Sequence, residues 1–225
     1  MIPWLNGKDP FPSVDNALIE PNGLLAVGGD LSVARLLTAY RSGIFPWYSQ
    51  VPILWWSPDP RMVLFPRELK ISRSLKKILN HGEFEIRSDT AFRDVMLTCA
   101  EPRRAQPGTW INEDMLAAYY ALHEQGWAHS IETWHDNQLV GGLYGVAIGR
   151  AFFGESMFTR KPNASKVALV YLVDQLSKRG FGIIDCQMKT AHLASLGARE
   201  ISRSEFTLRL EELVNYESII GLWKL

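Results

Sequence analysis

The stretch His129–Phe158, HSIETWHDNQLVGGLYGVAIGRAFFGESMF, decides the fold class. It is rich in β-branched and aromatic residues and is cut twice by turn residues, at Asp136-Asn137 and at Gly149-Arg150. Asp-Asn and Gly-Arg are short-turn pairs, so the stretch predicts three consecutive antiparallel strands. Beyond Phe158 the period changes. NASKVALVYLVDQLSKRG (163–180) predicts a helix that is apolar nearly all round, hence mostly buried, with Lys178 and Arg179 in its last turn and Gly180 after it. FGIIDCQM (181–188) predicts a buried strand and TAHLASLG (190–197) a short helix.

Upstream the pattern is also mixed. MVLF (62–65) and EFEIRS (83–88) predict strands, while SRSLKKILN (72–80), TAFRDVMLTCA (90–100) and NEDMLAAYYALHEQG (112–126) predict helices. The last has Asn112 as cap, acids in its first turn and Gly126 as terminator. Residues 1–60 differ in composition, being rich in Pro, Gly and Trp. They hold one helix, VARLLTAYRS (33–42), capped by Asp30 or Ser32 and ended by Gly43. Prolines 46, 52, 58 and 60 leave room for one short strand, Ile53–Trp56. The expectation is an α/β (α+β) chain with a small N-terminal domain over 1–60. A second domain spans 61–225 and has a mostly antiparallel central sheet. A meander, a helix, a strand and a short helix, in that order, resemble the core of the GNAT acyltransferase fold, in which two strands splay apart to make a cleft. That is an analogy of topology and gives no function by itself.

Composition narrows the classes. Of 225 residues, 47% are hydrophobic and 21% charged, which predicts a packed protein. The 24 basic residues balance the 24 acidic ones, so any nucleic-acid binding must rest on a local patch. Two cysteines, Cys99 and Cys186, make no disulfide framework. The start MIPWLNGKDPFPS lacks a basic region followed by an apolar one, and no run of 18 apolar residues occurs, so a cytoplasmic protein is expected. The histidines make no metal-ligand pattern, and there is no phosphate-binding or dinucleotide fingerprint. No cofactor is expected.

Two carboxylates stand out. Glu155 interrupts FFGESMF, and Asp185 interrupts IIDCQ. A buried carboxylate needs a partner. If the strand period of 2 holds, Asp185 and Gln187 share one face, with Ile184 and Cys186 on the other, and Phe153, Glu155 and Met157 share a face; Gly154 marks a place for a bulge. Asp185 and Gln187 read either as a structural pair closing a strand end or as a relay in which the carboxylate polarises the amide. With Glu155 they converge on a cleft walled by Leu143, Phe152, Phe153 and Met157. Where acetyltransferases of this fold carry a glycine-rich loop for a pyrophosphate, this chain reads TRKPNASK, without glycine and with Pro162 lacking an N–H donor. That weighs against coenzyme A.

Six cations, Arg61, Arg67, Lys70, Arg73, Lys76 and Lys77, face one acid, Glu68. The plain reading is a solvated helix face; the functional one is a contact for nucleic-acid phosphates. Trp47 and Trp110 read as core residues or as platforms for an unpaired base.

Together, the blocks EPNGLLAVGGDLSVARLLTAYRSGIFPW, ILWWSPDPR, GTWI, GLYGV, FFGESMF, NASK and IDCQM resemble the bacterial leucyl/phenylalanyl-tRNA–protein transferase family, in order from about Glu20 to Gly197. The resemblance implies a small N-terminal domain before a GNAT-like one. It implies transfer of Leu or Phe, and also Met, from aminoacyl-tRNA to the N-terminal Arg or Lys of a protein, which marks that protein for proteolysis. It implies catalytic residues at Glu155, Asp185 and Gln187, and Trp47 and Trp110 against the terminal adenosine. It also implies a side-chain pocket of Leu143, Phe152, Met157, Leu169, Leu172, Leu176 and Ile184. The family often has Met at 143 and Phe at 172 and 176, where this chain has leucine. No metal or coenzyme A is implied, because the ester is already activated. With no apolar helix face left over, a monomer is expected. The competing readings are a coenzyme-A-dependent acyltransferase of the same fold and a non-catalytic tRNA-binding protein. Only the latter has no need of the three polar residues together.

Overall fold

A computed structural model describes residues 1–104 and 111–223, with the backbone alone at 102–104. The N-terminal part holds strands β1 (Trp4–Leu5), β2 (Leu24–Gly28), β3 (Phe45–Pro46) and β4 (Leu54–Trp56), with helix α1 (Val33–Arg41) between β2 and β3. They form a four-stranded sheet in the order β1-β2-β4-β3. Ser32 caps α1 by accepting from the Arg35 N–H, and Gly43 follows its end at φ 74°. Of these strands only β4 was expected. β1 and β3 are two residues long, too short to show any periodicity, and β2 is buried along nearly its whole length, so it shows no alternation. Pro46 is tolerated because β3 is an edge strand.

The rest of the chain builds a second sheet from β5 (Arg61–Leu64), β6 (Glu85–Ser88), β7 (Ala128–His135), β8 (Gln138–Ile148), β9 (Ala151–Thr159), β10 (Ile183–Gln187) and β11 (Arg199–Ile201). Its order is β11-β5-β10-β9-β8-β7-β6. Every neighbouring pair is antiparallel except β9 with β10. The mixed α/β class with a mostly antiparallel sheet is therefore as expected. The three-stranded meander is also present, with both turns where the sequence placed them. β11, three residues long, was not foreseen.

Among the described residues this part also has six α-helices: α2 (Arg73–His81), α3 (Phe92–Arg104), α4 (Glu113–Glu124), α5 (Ala164–Lys178), α6 (Ala191–Ser195) and α7 (Arg203–Leu213). One face of the sheet carries α3, α4 and α7. Their core, with Phe153, Tyr119 and Phe206, runs without a break into Tyr40, Phe45 and Trp55 of the N-terminal part. The other face carries α5, whose Val167, Ala168, Leu172 and Leu176 pack with Phe152, Leu143 and Ile184. Among the described residues no helix is long and apolar enough to cross a membrane.

Candidate active site

Strands β9 and β10 pair in parallel only over Ile183–Asp185 and Ala151–Phe153. Beyond that they part, and each has a local cause. On β9, Tyr144 pairs with Ser156 and Gly145 with Gly154, so Glu155 is the extra residue of a bulge. On β10 the register with β5 slips between Asp185 and Gln187, and Gln187 adopts a left-handed backbone at φ 60°. A non-glycine residue in that region is held there by its surroundings. Here the Gln187 N–H donates to Asp185 Oδ1 at 2.9 Å.

The bulge corrects the expected faces. Phe153 and Phe158 pack in one core, Phe152 and Met157 in the other. Phe153 therefore does not wall the cleft; its ring lies 4.9 Å from that of Tyr40 on the opposite side. Period 2 failed because the extra residue inverts every side chain beyond it.

Between the parted strands lies a cavity of about 530 Å³. Its apolar wall is Leu143, Phe152, Met157, Leu169, Leu172 and Ile184, six of the seven residues expected there. The seventh, Leu176, is fully buried in the core one helical turn beyond Leu172 and does not reach the cavity. The polar side is Glu155 and Gln187, and Trp47, 40% exposed, stands at the rim. The Trp47 ring sits edge-on to Trp56 at 5.5 Å, and its backbone N–H donates to the Leu54 carbonyl. Trp110 lies outside the described residues.

Asp185 is fully buried and ion-paired. Arg61 grips it with both arms of its guanidinium, Nε to Oδ1 at 2.8 Å and Nη2 to Oδ2 at 2.7 Å. The guanidinium is stacked between Phe45 and Phe206, 4.8 and 4.6 Å from their ring centres. Arg61 is 1% exposed, so it is not part of a surface phosphate patch, as charge counting along the sequence had placed it. The other five cations, Arg67, Lys70, Arg73, Lys76 and Lys77, are at least partly exposed. The direct relay from the Asp185 carboxylate to the Gln187 amide also needs correction. The carboxylate meets the Gln187 backbone, while the amide Nε2 donates to Glu155 Oε1 at 3.0 Å.

Glu155 holds the densest network. Tyr40 donates to its Oε1 at 2.6 Å and Tyr119 to its Oε2 at 3.0 Å, and the two phenol oxygens meet each other. With an ionised Glu155, two hydroxyl protons serve these three contacts. A proton on Glu155 gives one for each. Burial pushes the Glu155 carboxyl up to about 7, against the pull of the two tyrosines and Gln187 in the other direction. Burial and the nearby carboxylate push both phenols well above their ordinary value.

Sequence reasoning missed Tyr40 and Tyr119, because a tyrosine at helical spacing on an apolar face reads as core. The available signal was the hydroxyl, which needs a partner when buried. Cys186, Met188, Thr190, His192 and Leu193 also line the cavity. Burial raises the Cys186 thiol far above its usual range, so it lines the wall as a small apolar group. Among the described residues no group of His, Cys, Asp and Glu is placed to hold a metal ion.

A family model described as leucyl/phenylalanyl-tRNA protein transferase matches residues 63–211, and one for that family's N-terminal domain matches 29–59. Curated relatives named leucyl/phenylalanyl-tRNA–protein transferase include those of Nitrosospira multiformis and Nitrosomonas europaea. The first is 68% identical over 96% of this chain and 94% of its own; the second is 65% identical over 95% and 91%. Solved structures are more distant. A functionally unknown conserved protein of Staphylococcus epidermidis is 8% identical over 80% of this chain and 68% of its own, with a TM-score of 0.45. An aminoglycoside acetyltransferase from an uncultured soil metagenomic sample is 11% identical over 64% and 97%, with a TM-score of 0.40.

Proposed function

From the premise that this chain belongs to the leucyl/phenylalanyl-tRNA protein transferase family, we propose how its cavity does the work. The chain is an aminoacyltransferase that carries an aminoacyl group from tRNA to a protein N-terminus. The acceptor α-amine attacks the ester carbonyl, a C–N bond forms, and the ester C–O bond breaks. The amine gives up a proton and the released ribose oxygen gains one, so the reaction balances without a cofactor.

The observation that carries the reading is the Gln187–Glu155 contact at 3.0 Å on the rim of an apolar cavity. In this reading the cavity wall takes the side chain of the donor. Leu and Phe fit it, and a charged side chain is refused by its desolvation cost. Glu155 holds the donor's α-amino group. One N–H of Gln187 Nε2 goes to Glu155 and so fixes the amide, whose Oε1 is the atom that accepts from the attacking amine and orients it. Asp185 is then a positioning residue. It keeps Gln187 in its left-handed turn and is itself held still by Arg61. Residues 1–60 form a small domain whose Tyr40 and Trp47 complete a site otherwise built on residues 61–225. Trp47 supplies a face for the terminal base of the tRNA. All these groups come from one chain, so a monomer suffices, and an enzyme consuming aminoacyl-tRNA works in the cytoplasm.

The cations Arg67, Lys70, Arg73, Lys76 and Lys77 lie on and just before α2 and suit the acceptor-stem phosphates. The paired reversal Lys76→Glu/Lys77→Glu is expected to weaken tRNA binding about 10-fold at low salt and to reduce its salt slope by about 1 to 2. Filter binding between about 50 and 200 mM salt checks this; unchanged binding throughout contradicts the patch.

The whole reading is tested by moving labelled leucine from Leu-tRNA onto two reporters that differ only in an N-terminal Arg or Ala. Label on the Arg reporter alone is expected. Label on both, or on neither, contradicts the acceptor assignment.

A further inference from the structure

After α7 the chain does not leave the domain. It runs back across the end of the seven-stranded sheet and is fastened at each strand it passes. The Gly149 N–H, in the β8–β9 turn, donates to Ser218 Oγ at 2.8 Å. The Gly221 N–H donates to the Gly126 carbonyl just before β7. At the end of β6, Ser88 Oγ donates to the Trp223 carbonyl at 2.6 Å, and the Trp223 N–H donates to Asp89 Oδ2 at 2.6 Å. These bonds drive one large side chain inward. The Trp223 indole is 2% exposed. It stacks on His129 at 3.9 Å, with rings 11° from parallel, and lies under the Arg179 guanidinium.

Two phenyl rings also lie beside that indole, Phe152 at 6.1 Å and Phe181 at 6.3 Å between ring centres. Phe152 lines the cavity and Trp223 does not, so the indole stands behind the phenyl ring, away from the cavity. The phenyl ring is confined on a second side as well. A Cβ on Gly145 would lie 2.6 Å from its Cε1 and Cζ, so the ring lies against bare backbone of β8. Pinned between the β8 backbone and a fastened indole, Phe152 has no room to retreat.

We propose that Trp223 is a specificity-determining residue: the strap formed by residues 214–223 holds Phe152 in place and so fixes the depth of the cavity that takes the donor side chain. This rests on the reading of that cavity as the donor side-chain pocket. A large donor side chain presses on Phe152, and a small one leaves it alone. Packed interiors transmit such a displacement because they contain little free volume. Removing the backing therefore favours the larger donor.

The test is competition between Phe-tRNA and Leu-tRNA. Trp223→Ala is expected to raise the Phe-to-Leu ratio of kcat/KM about 10-fold, the scale of one methylene in an apolar pocket. Trp223→Phe shifts it less, in the same direction. Met157→Ala, in the cavity wall itself, is run beside them. If the ratio moves for Met157→Ala and stays put for both Trp223 variants, the backing role is overturned and the pocket stands. If it moves for none, the pocket reading falls with it. An equal loss for both donors in the Trp223 variants makes the strap a clamp for the fold only and overturns the proposal. A measurement on the unaltered fold guards against unstable variants. In protein labelled with 5-fluorotryptophan, the Trp223 resonance is assigned by Trp223→Phe. It is expected to move when a 3′-phenylalanylamino-adenosine is added and to stay when the alanyl compound is added. A resonance that ignores both overturns the proposal.

Discussion

Asp185→Asn is expected to destabilise the fold by about 3–5 kcal/mol, the cost of breaking a buried ion pair by removing one partner. The substitution barely changes shape, and Asn still offers an oxygen to the Gln187 N–H. What it removes is the negative charge facing Arg61, which is 1% exposed and enclosed by Phe45 and Phe206. The guanidinium would then be charged, buried and uncompensated. The same physics says that removing both charges costs far less, because neither is then left alone. Arg61→Met/Asp185→Leu is therefore expected to recover most of the lost stability in urea unfolding. It should not recover transfer, since leucine offers no acceptor to the Gln187 N–H at 2.9 Å and the left-handed turn loses its anchor. Stability and activity separate in this pair of variants. If the double variant is as active as wild type, Asp185 does not position Gln187.

The second large effect is a dependence of stability on pH centred on Glu155. Its carboxyl titrates near 7 in the fold and near 4.5 when the chain is unfolded, because burial disfavours the charge. Between those values the native state holds a proton that the unfolded state has released. Stability from this group is thus full below pH 4.5 and is lost as pH rises toward 7. At about 1.4 kcal/mol per pH unit the loss amounts to a few kcal/mol. Glu155→Gln cannot ionise and does not suffer it. The variant should melt above wild type at about pH 8, and the two should converge near about pH 5. Tyr40→Phe removes a hydroxyl that favours the ionised form, so its window should extend to higher pH. Parallel melting curves for wild type and Glu155→Gln across this range would mean that Glu155 is not held in the protonated form near neutrality.

The elements that carry enough residues to show a period were legible: the meander, α5, and the strand with Asp185 and Gln187. What escaped lies where local pattern and three-dimensional arrangement diverge. One extra residue at Glu155 inverts β9, and nothing but Gly154 hinted at it. Arg61 looks like a member of a basic run along the chain, but it starts a strand beside β10, and its partner lies 124 positions away. Tyr40 and Tyr119 are 79 positions apart and meet only because α1 and α4 pack on the same face. Of the candidate site, the polar triad Glu155, Asp185 and Gln187 and the wall residues Leu143, Phe152 and Met157 were readable from the residues themselves, while Leu169, Leu172 and Ile184 came only with the resemblance. The groups that hold the triad in place were not readable, because holding is a property of packing and leaves no local signature.

Central to the proposed mechanism is Gln187, at the rim of the cavity, as the group that orients the attacking amine. The most direct test is the single-turnover rate of leucine transfer from Leu-tRNA by Gln187→Ala, with enzyme in excess and donor affinity measured in parallel. The expected result is a rate lowered about 100-fold, at the lower end of what a positioned proton-handling group contributes, with donor affinity unchanged within a few-fold. A wild-type rate in that variant would contradict this role for Gln187.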